Sequence, residues 1–448
     1  MSLPLAGRVR SAARPLAPPR HRGTATGRNV GLKATCAAAA TTLAFLAIAA
    51  LFLISPHLLY RWGFTYESTG GSFAEKMHPG TWLAFAALIF WGLRRRSPLH
   101  TVDAALARHG GLAVFLLTWV LLLLYTIVVR HVPFTPLIDT FALPIALFLV
   151  LVDLSPVAKQ RLALLLHLIM LANALLGLFE FETGFRLTPY VEEGVEITSD
   201  WRSTALLGHP LVNAGITGAY VLVLAVGGGR DVPALLRPVL LVIQCAAMVA
   251  FGGRAALVFL LPLLAFIALT ELARIARGRR VKLLHAALFA IVLPGAVAVT
   301  IGLIEAGFFD RLADRFVEDR GSAQARVVIL KLLQEIPLED LILGSDQARV
   351  ATIQHLEGIE FGIESFWVNF SLLYGLGISL FFFFGLFCFC HDLVKATRTG
   401  AWVVLAFLFA IATTSVSLSA KTAQLGMIVA LLMTMLRKDG TYPQARSI

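Results

Sequence analysis

The chain predicts an all-α, polytopic membrane protein, and three features predict it. Of its 448 residues 58% are hydrophobic and 15% charged, with a mean hydropathy of +0.80, whereas a soluble domain carries about 25% charged residues. Apolar runs long enough, or nearly so, to cross ~30 Å of hydrocarbon recur from end to end. Clusters of Arg/Lys, Pro or Gly bound each run, and basic residues crowd into alternate loops.

Residues 1–33 are rich in Arg, Pro, Ala and Gly and contain no acid, so they are expected to form a disordered basic tail. The first span, Ala34–Ile54, follows basic residues as a signal sequence would. It is too long for a typical h-region and has no convincing small-residue cleavage site, so it is expected to remain as an anchor. Eight further spans follow: Trp82–Leu93, Gly111–Val129, Leu137–Val152, Leu162–Leu178, Leu211–Val226, Val239–Phe251, Ala255–Leu272 and Leu284–Ile304. The polar loop Glu305–Ser365 separates them from Phe366–Cys390, Ala401–Val416 and Thr422–Leu436, with a short tail, 437–448, at the end. The expected architecture therefore has about twelve spans and one large loop between the ninth and tenth.

Orientation follows from the basic residues. With the N-terminus inside, 25 of the 38 Lys and Arg fall on the inner side and 13 on the outer, while the 27 acids divide 6 to 21. Both termini are then cytoplasmic, the large loop is periplasmic, and the pI of 9.9 is a topology signal. Arg94–Arg96 and the cluster from Arg274 to Lys282 lie beside spans, where anionic headgroups account for them, so the basic balance implies no nucleic-acid partner. Cys36, Cys245, Cys388 and Cys390 lie in or at the ends of spans, which leaves no disulfide framework or zinc pattern in the outward loops.

Chemistry is expected in three outward segments. The loop Glu180–His209 carries six acids with Tyr190 and Trp201, and closes on Arg202…Gly208-His209, after which the next span opens Pro210-Leu211-Val212-Asn213. Trp201 suits either stacking on a sugar face or an interfacial anchor, and Arg202 either an anion or one of the nearby acids. At the corner Phe251-Gly252-Gly253-Arg254 the glycines permit a tight turn. An Arg between apolar flanks is costly there unless it snorkels or meets an anion. In the large loop, Ser322–Ile336 reads as an amphipathic helix with Ile329, Leu332, Leu333 and Ile336 in one stripe, Ser322 as N-cap and Pro337 as stop. Arg326 near its start escapes the alternating charges of Asp310–Arg320, and a helix start beside Arg320 and Arg326 suits an anion.

Together, the spans, the inward termini, the large loop, the Gly-Gly-Arg254 corner and the Arg202…Gly208-His209-Pro210…Asn213 stretch resemble the O-antigen ligase and polymerase superfamily (WaaL/Wzy-like), in particular its VpsF-type exopolysaccharide members. The resemblance covers residues 30 to 436. Ligases of that family carry, where the loop re-enters the membrane, a His followed by Asn, Ser or Gln, nine residues and Gly. Here Glu364-Ser365, nine residues and Gly375 keep the spacing with Glu in the His position, a departure that leans toward a polymerase.

The resemblance implies glycan transfer from an undecaprenyl-pyrophosphate donor to an acceptor sugar hydroxyl at the periplasmic face of the bacterial inner membrane. No metal or cofactor takes part, and the partners implied are the lipid-linked glycan, the acceptor glycan, the bilayer, a flippase and a chain-length regulator. Arg254, Arg326 and Arg202 would hold the pyrophosphate as it gains charge. Glu364, or second to it His355, would take the acceptor proton, and Trp201, His209 and Asn213 would meet the glycan. A transporter or flippase of lipid-linked oligosaccharide is the competing class. It is expected to show ionisable groups deep in spans, for which His167, His285, Asp139 and Lys421 are the candidates.

Overall fold

The computed structural model describes residues 25–67, 70–94, 97–192, 195–280, 307–317, 333–356 and 363–438, with isolated positions from 298 to 329. Among them six helical segments are long and apolar enough to cross a membrane, and five shorter apolar helices join them, so the chain is an all-α protein of membrane-embedded type. The long segments are α1 (Ala25–Leu53, apolar from Lys33), α5 (Gly110–Tyr125, prolonged by one π turn to Arg130), α6 (Thr135–Val152), α7 (Pro156–Thr183), α10 (Arg254–Ala276) and α15 (Leu376–Ala396). The shorter are α3 (Pro79–Leu93), α8 (Pro210–Ala225), α9 (Leu236–Phe251), α16 (Ala401–Ala412) and α17 (Gln424–Met435). Polar or short helices complete the set: α2 (Pro56–Arg61), α4 (Pro98–Arg108), α11 (Asp310–Val317), α12 (Leu338–Leu343), α13 (Gln347–Leu356) and α14 (Phe366–Tyr374). The ninth expected span, Leu284–Ile304, falls almost wholly outside the described residues.

Local chemistry starts five of these helices in one way. Ser55, His78, Ser97, Ser155 and His209 are N-caps, each followed by Pro at the first helical position. The cap side chain satisfies an orphan N–H, and proline costs nothing where no hydrogen bond is due. Left-handed glycines end two of the helices, Gly184 at φ 71° and Gly252 at φ 59°.

In lipid there is no water for helices to escape, so packing must hold the bundle, and small residues permit close approach. α1 and α3 meet through Ala44, Ala47, Ala84 and Ala87, all buried, with Gly80 seated on Leu51. α5 and α15 close on Gly111, where a Cβ would stand 2.2 Å from the Cys388 carbonyl oxygen, and on Gly385, set against Thr118. Phe115, Phe141, Phe370, Phe382 and Phe389 interlock nearby, with Phe141 and Phe382 rings 4.7 Å apart. Truncating one of these rings to Ala would cost about 3–5 kcal/mol. α17, buried from Leu425 through Met435, forms the centre, whereas α10 buries only Ala256 and Leu260 and turns Leu261, Phe266 and Leu269 outward, as a lipid-facing helix would.

The expected span Phe366–Cys390 is corrected by the structure: it is two helices, α14 and α15, broken at Gly375. The break has a physical cause. Gly375 sits at φ 85°, and a side chain there would strike the Ile342 carbonyl oxygen at 2.4 Å, because the turn 342–345 of the large loop packs onto the break. Arg130 holds that turn, donating from Nη1 to Gly344 O at 2.8 Å and from Nη2 to Ser345 O, while the Tyr125 hydroxyl donates to Leu343 O and Ser345 N to Leu372 O. At nine residues α14 is too short to cross the bilayer.

Candidate functional site

The described parts of the loops 54–78, 180–209, 413–423 and 305–365 meet one another, His57 reaching Gly208, Lys421 reaching Tyr66 and Phe308 reaching Phe181, and the described site candidates lie there. The segment Glu180–His209 is built around Glu180, 2% exposed, whose carboxylate accepts from the backbone N–H groups of Leu187, Thr204 and Ala205. A two-residue β pair joins Val191–Glu192 (β1) to Val195–Glu196 (β2), antiparallel, with Val191 opposite Glu196. Asn213 is fully buried and donates from Nδ2 to Thr204 O and His209 O, which ties the loop to the first turn of α8.

Two of the three expected arginines lie at one corner. Arg202 lies against the corner between α9 and α10, where a Cβ on Gly252 would stand 2.9 Å from its Cγ and as far from Trp201. Gly253, the N-cap of α10, packs on Ala214, and Arg254 occupies the first helical position beyond it. Arg202 pairs with Asp200, Nε to Oδ2 2.8 Å, and its guanidinium lies 5.7 Å from the Tyr190 ring centroid. Its charge is thus partly offset by an acid, one of the two alternatives open from sequence.

The start of the large loop docks beside this corner. Phe308 and Leu312 pack on Phe181, Val249 and Ala250, Trp201 meets Phe181 edge to face at 5.6 Å, and Arg311 lies over the same ring at 5.2 Å. Trp201 is thereby engaged in packing. Between α9, α10 and α11 runs a groove of about 310 Å³ lined by apolar side chains, among them Met248, Leu257, Leu261, Phe309 and Phe316. Leu257 is one turn from Arg254, so the groove opens beside that arginine.

Glu364 is partly buried between the buried Ile363 and Ser365, immediately before α14, whose N-cap position falls on Ser365. Ile363 belongs to a small core with Ile329, Ile336, Val350, Ile353 and Leu372, against which Leu333 packs. Three residues of the expected amphipathic stripe therefore do face a packed partner. Arg326 and the cap Ser322 lie outside the described residues. His355 stands exposed on the last turn of α13. Behind Glu364, Asn369 of α14 donates from Nδ2 to Ser419 Oγ at 2.9 Å.

Sequence reasoning named members of two groups, His209 in one and Asp139 and Lys421 in the other, without finding what they join. The first surrounds His57, which is 7% exposed and bonds through Nδ1 to Gly208 O at 2.7 Å, with the rings of Tyr190 and His209 centred 6.2 and 6.1 Å away. His209 Nδ1 accepts from Leu211 N at 3.1 Å. Burial first, then His57 and Arg202, pushes His209 down to about 3, so its ring is neutral. The only sequence signal for His57 is the Ser-Pro helix start just before it. The second group centres on Asp139, fully buried, which accepts from the Tyr66 hydroxyl at 2.8 Å and from His78 N. Lys421 lies 3.6 Å from the Tyr66 ring centroid and donates to Tyr66 O; burial lowers it to about 8. Asp139 and Lys421 thus join one network at the loop end. His167 is buried inside the bundle, its Nδ1 2.6 Å from the Tyr220 hydroxyl, and His285 lies outside the described residues.

Fold and site together define a helical membrane protein with two arginines at a glycine corner and an apolar groove beside them. Comparison with protein-family models, curated proteins and solved structures finds no match.

Proposed function

We propose that the chain is a metal-independent glycosyltransferase of the polysaccharide polymerase and ligase type. It would span the bacterial inner membrane about twelve times and transfer a glycan from undecaprenyl pyrophosphate to an acceptor sugar hydroxyl at the periplasmic face. The observation that carries this reading is the corner at Gly252: Arg202 and Arg254 flank one backbone turn, and an apolar groove leads away from it. A polyprenyl pyrophosphate has those two halves, an oxyanion head for guanidinium and helix N–H groups and a hydrocarbon tail for the groove.

As the glycosidic C–O bond breaks, the pyrophosphate gains charge, and guanidinium groups already in place stabilise the transition state more than the ground state. Arg254 is the principal holder. Arg202 exchanges Asp200 for phosphate or acts from behind it, and Arg326 is the third member of the proposed set. Glu364, at the mouth of the re-entering helix, takes the acceptor proton, with His355 second to it. Phosphate release needs no residue deep in the bundle. That is the point of difference from a flippase, for which Asp139 and Lys421 are the observation in favour.

The test is a chromosomal deletion. A transferase mutant loses polymer and accumulates undecaprenyl-linked oligosaccharide on the periplasmic face, where an added glycosidase reaches it. Accumulation on the cytoplasmic face, inaccessible to that enzyme, would identify a flippase, and no change in lipid-linked glycan would remove both readings.

A further inference from the structure

Arg130 and Tyr125 reach the same turn of the large loop although five residues separate them at the end of α5. In a regular α-helix such positions point about 140° apart. Here the last turn is a π turn, closed by His131 N donating to Thr126 O, and an i to i+5 turn brings residues five apart onto one side. Both side chains donate to backbone carbonyls at the point where α12 runs out of its own donors. The Tyr125 hydroxyl takes Leu343 O, and the Arg130 guanidinium takes Gly344 O at 2.8 Å and Ser345 O at 2.5 Å. Gly344, at φ 100°, lies so close that a Cβ there would stand 3.0 Å from Arg130 Cζ. What the clamp holds is the half of the loop that ends in Glu364. Ser345 N donates to Leu372 O of α14 at 2.8 Å, and Leu372 packs with Val350 and Ile353 of α13 and with Ile363 in one small core. Glu364 follows Ile363 directly, and α14 starts two residues further on, so the carboxylate belongs to a body tied to α5 through Arg130 and Tyr125.

We propose that Arg130 is a positioning residue for glycan transfer: its grip on two loop carbonyls sets where Glu364 meets the acceptor hydroxyl, without Arg130 itself touching substrate. A guanidinium fork fixes the distance and the angle of two acceptors together, which a single ammonium does not. α5 is itself held firmly, closing on α15 at Gly111 and Gly385, so the clamp has a rigid base. The arginine corner is built from other elements, α8, α9, α10 and the segment 180–209, so the clamp governs the acceptor side and leaves the donor side alone. Small errors of placement matter there, since a displacement of about 1 Å at a reacting group can cost 10²-fold in rate. The inference rests on the glycan-transfer reading with Glu364 as proton acceptor, and adds the residue that places it.

Rates are measured in membranes of the deletion strain carrying each full-length variant, with lipid-linked donor extracted from that strain and activity expressed per folded molecule. Arg130→Lys keeps the charge and loses the fork; Tyr125→Phe keeps the ring and loses the hydroxyl. Both are expected to lower kcat, the first by roughly 10–10²-fold and the second by less, and to leave the donor KM within about twofold of wild type. Because the clamp acts through Glu364, Arg130→Lys should slow the Glu364→Gln protein much less than it slows wild type. A role in stability alone would lower the melting temperature and the yield of folded protein, and would move neither kcat per folded molecule nor this coupling. With Glu364→Gln itself slow, a wild-type kcat in Arg130→Lys, a raised donor KM at unchanged kcat, or equal slowing in both backgrounds overturns the positioning inference alone. A Glu364→Gln protein as fast as wild type overturns the proton-acceptor reading and the inference with it. Should Arg130→Lys fail to fold, Tyr125→Phe decides by the same measures.

Discussion

Arg202 folds its side chain over Gly252. A β-carbon on that glycine would stand 2.9 Å from Arg202 Cγ and 3.1 Å from Cδ, and the glycine itself is left-handed at φ 59°. Two independent penalties therefore guard the corner that places Arg254.

Gly252→Ala is expected to be far worse than Gly278→Ala. Gly278 has the same backbone handedness, φ 91°, but nothing within 4 Å, so its substitution costs only the left-handed strain, about 1 kcal/mol. At Gly252 the Arg202 side chain and Trp201 must also move. The measurement is polymer output together with the melting temperature of the purified variants; equal behaviour of the two would mean that the corner has no role in holding Arg202.

Arg254→Lys should be nearly as harmful as Arg254→Ala, because a point charge does not reproduce a planar, bidentate grip on phosphate. Polymer output normalised to membrane protein level reads this. Full activity in the Lys variant would reduce Arg254 to a charge that snorkels at the helix start.

Glu364→Gln preserves shape and hydrogen bonding but cannot accept a proton, so transfer from lipid-linked donor should fall by roughly 10²–10⁴-fold. Glu364→His should restore part of it, and His355→Ala, changing an exposed side chain, should act mildly. A normal Gln variant beside a dead His355 variant would exchange the two roles.

Orientation is best read at Leu356, 78% exposed at the end of α13, and not at Gly344, which is buried between Arg130 and Gly375. Fusions truncated after Leu356 are expected to activate a periplasmic phosphatase and leave a cytoplasmic reporter silent, following the 25 to 13 division of basic residues. Cytoplasmic activity would invert the topology.

His209 makes stability depend on acid. Its folded-state value of about 3 lies below the ordinary 6.5, so between those limits the unfolded chain binds a proton that the folded chain does not. Stability contributed by this site is therefore full above 6.5 and falls as pH drops toward 3. The melting temperature should decline across that window, and His209→Asn, which keeps the cap and cannot titrate, should decline less steeply. An unchanged slope would mean that the ring is solvated.

What was legible in the sequence is what composition and short-range chemistry control. Apolar runs end at charges because a charge in hydrocarbon is costly, and Ser-Pro or His-Pro pairs start helices because cap and proline act within one turn. Ten of the twelve expected spans correspond to single helical segments for that reason, among them Ala401–Val416, whose helix ends at Ala412. The corner at Arg254 was also readable, since two glycines and a lone arginine between apolar flanks announce a turn that is not lipid-facing throughout.

The sequence by itself determined that the chain is helical, membrane-embedded and asymmetric in charge. Tertiary structure alone decided that Phe366–Cys390 breaks at Gly375, because the steric demand there comes from Ile342 in a loop closed by Arg130, more than 200 residues away in the chain. It also decided that His57 meets His209 and that Asp139 meets Tyr66 and Lys421. Such pairings follow from which helix ends the packed bundle brings to one side, and no local pattern of residues encodes that distance.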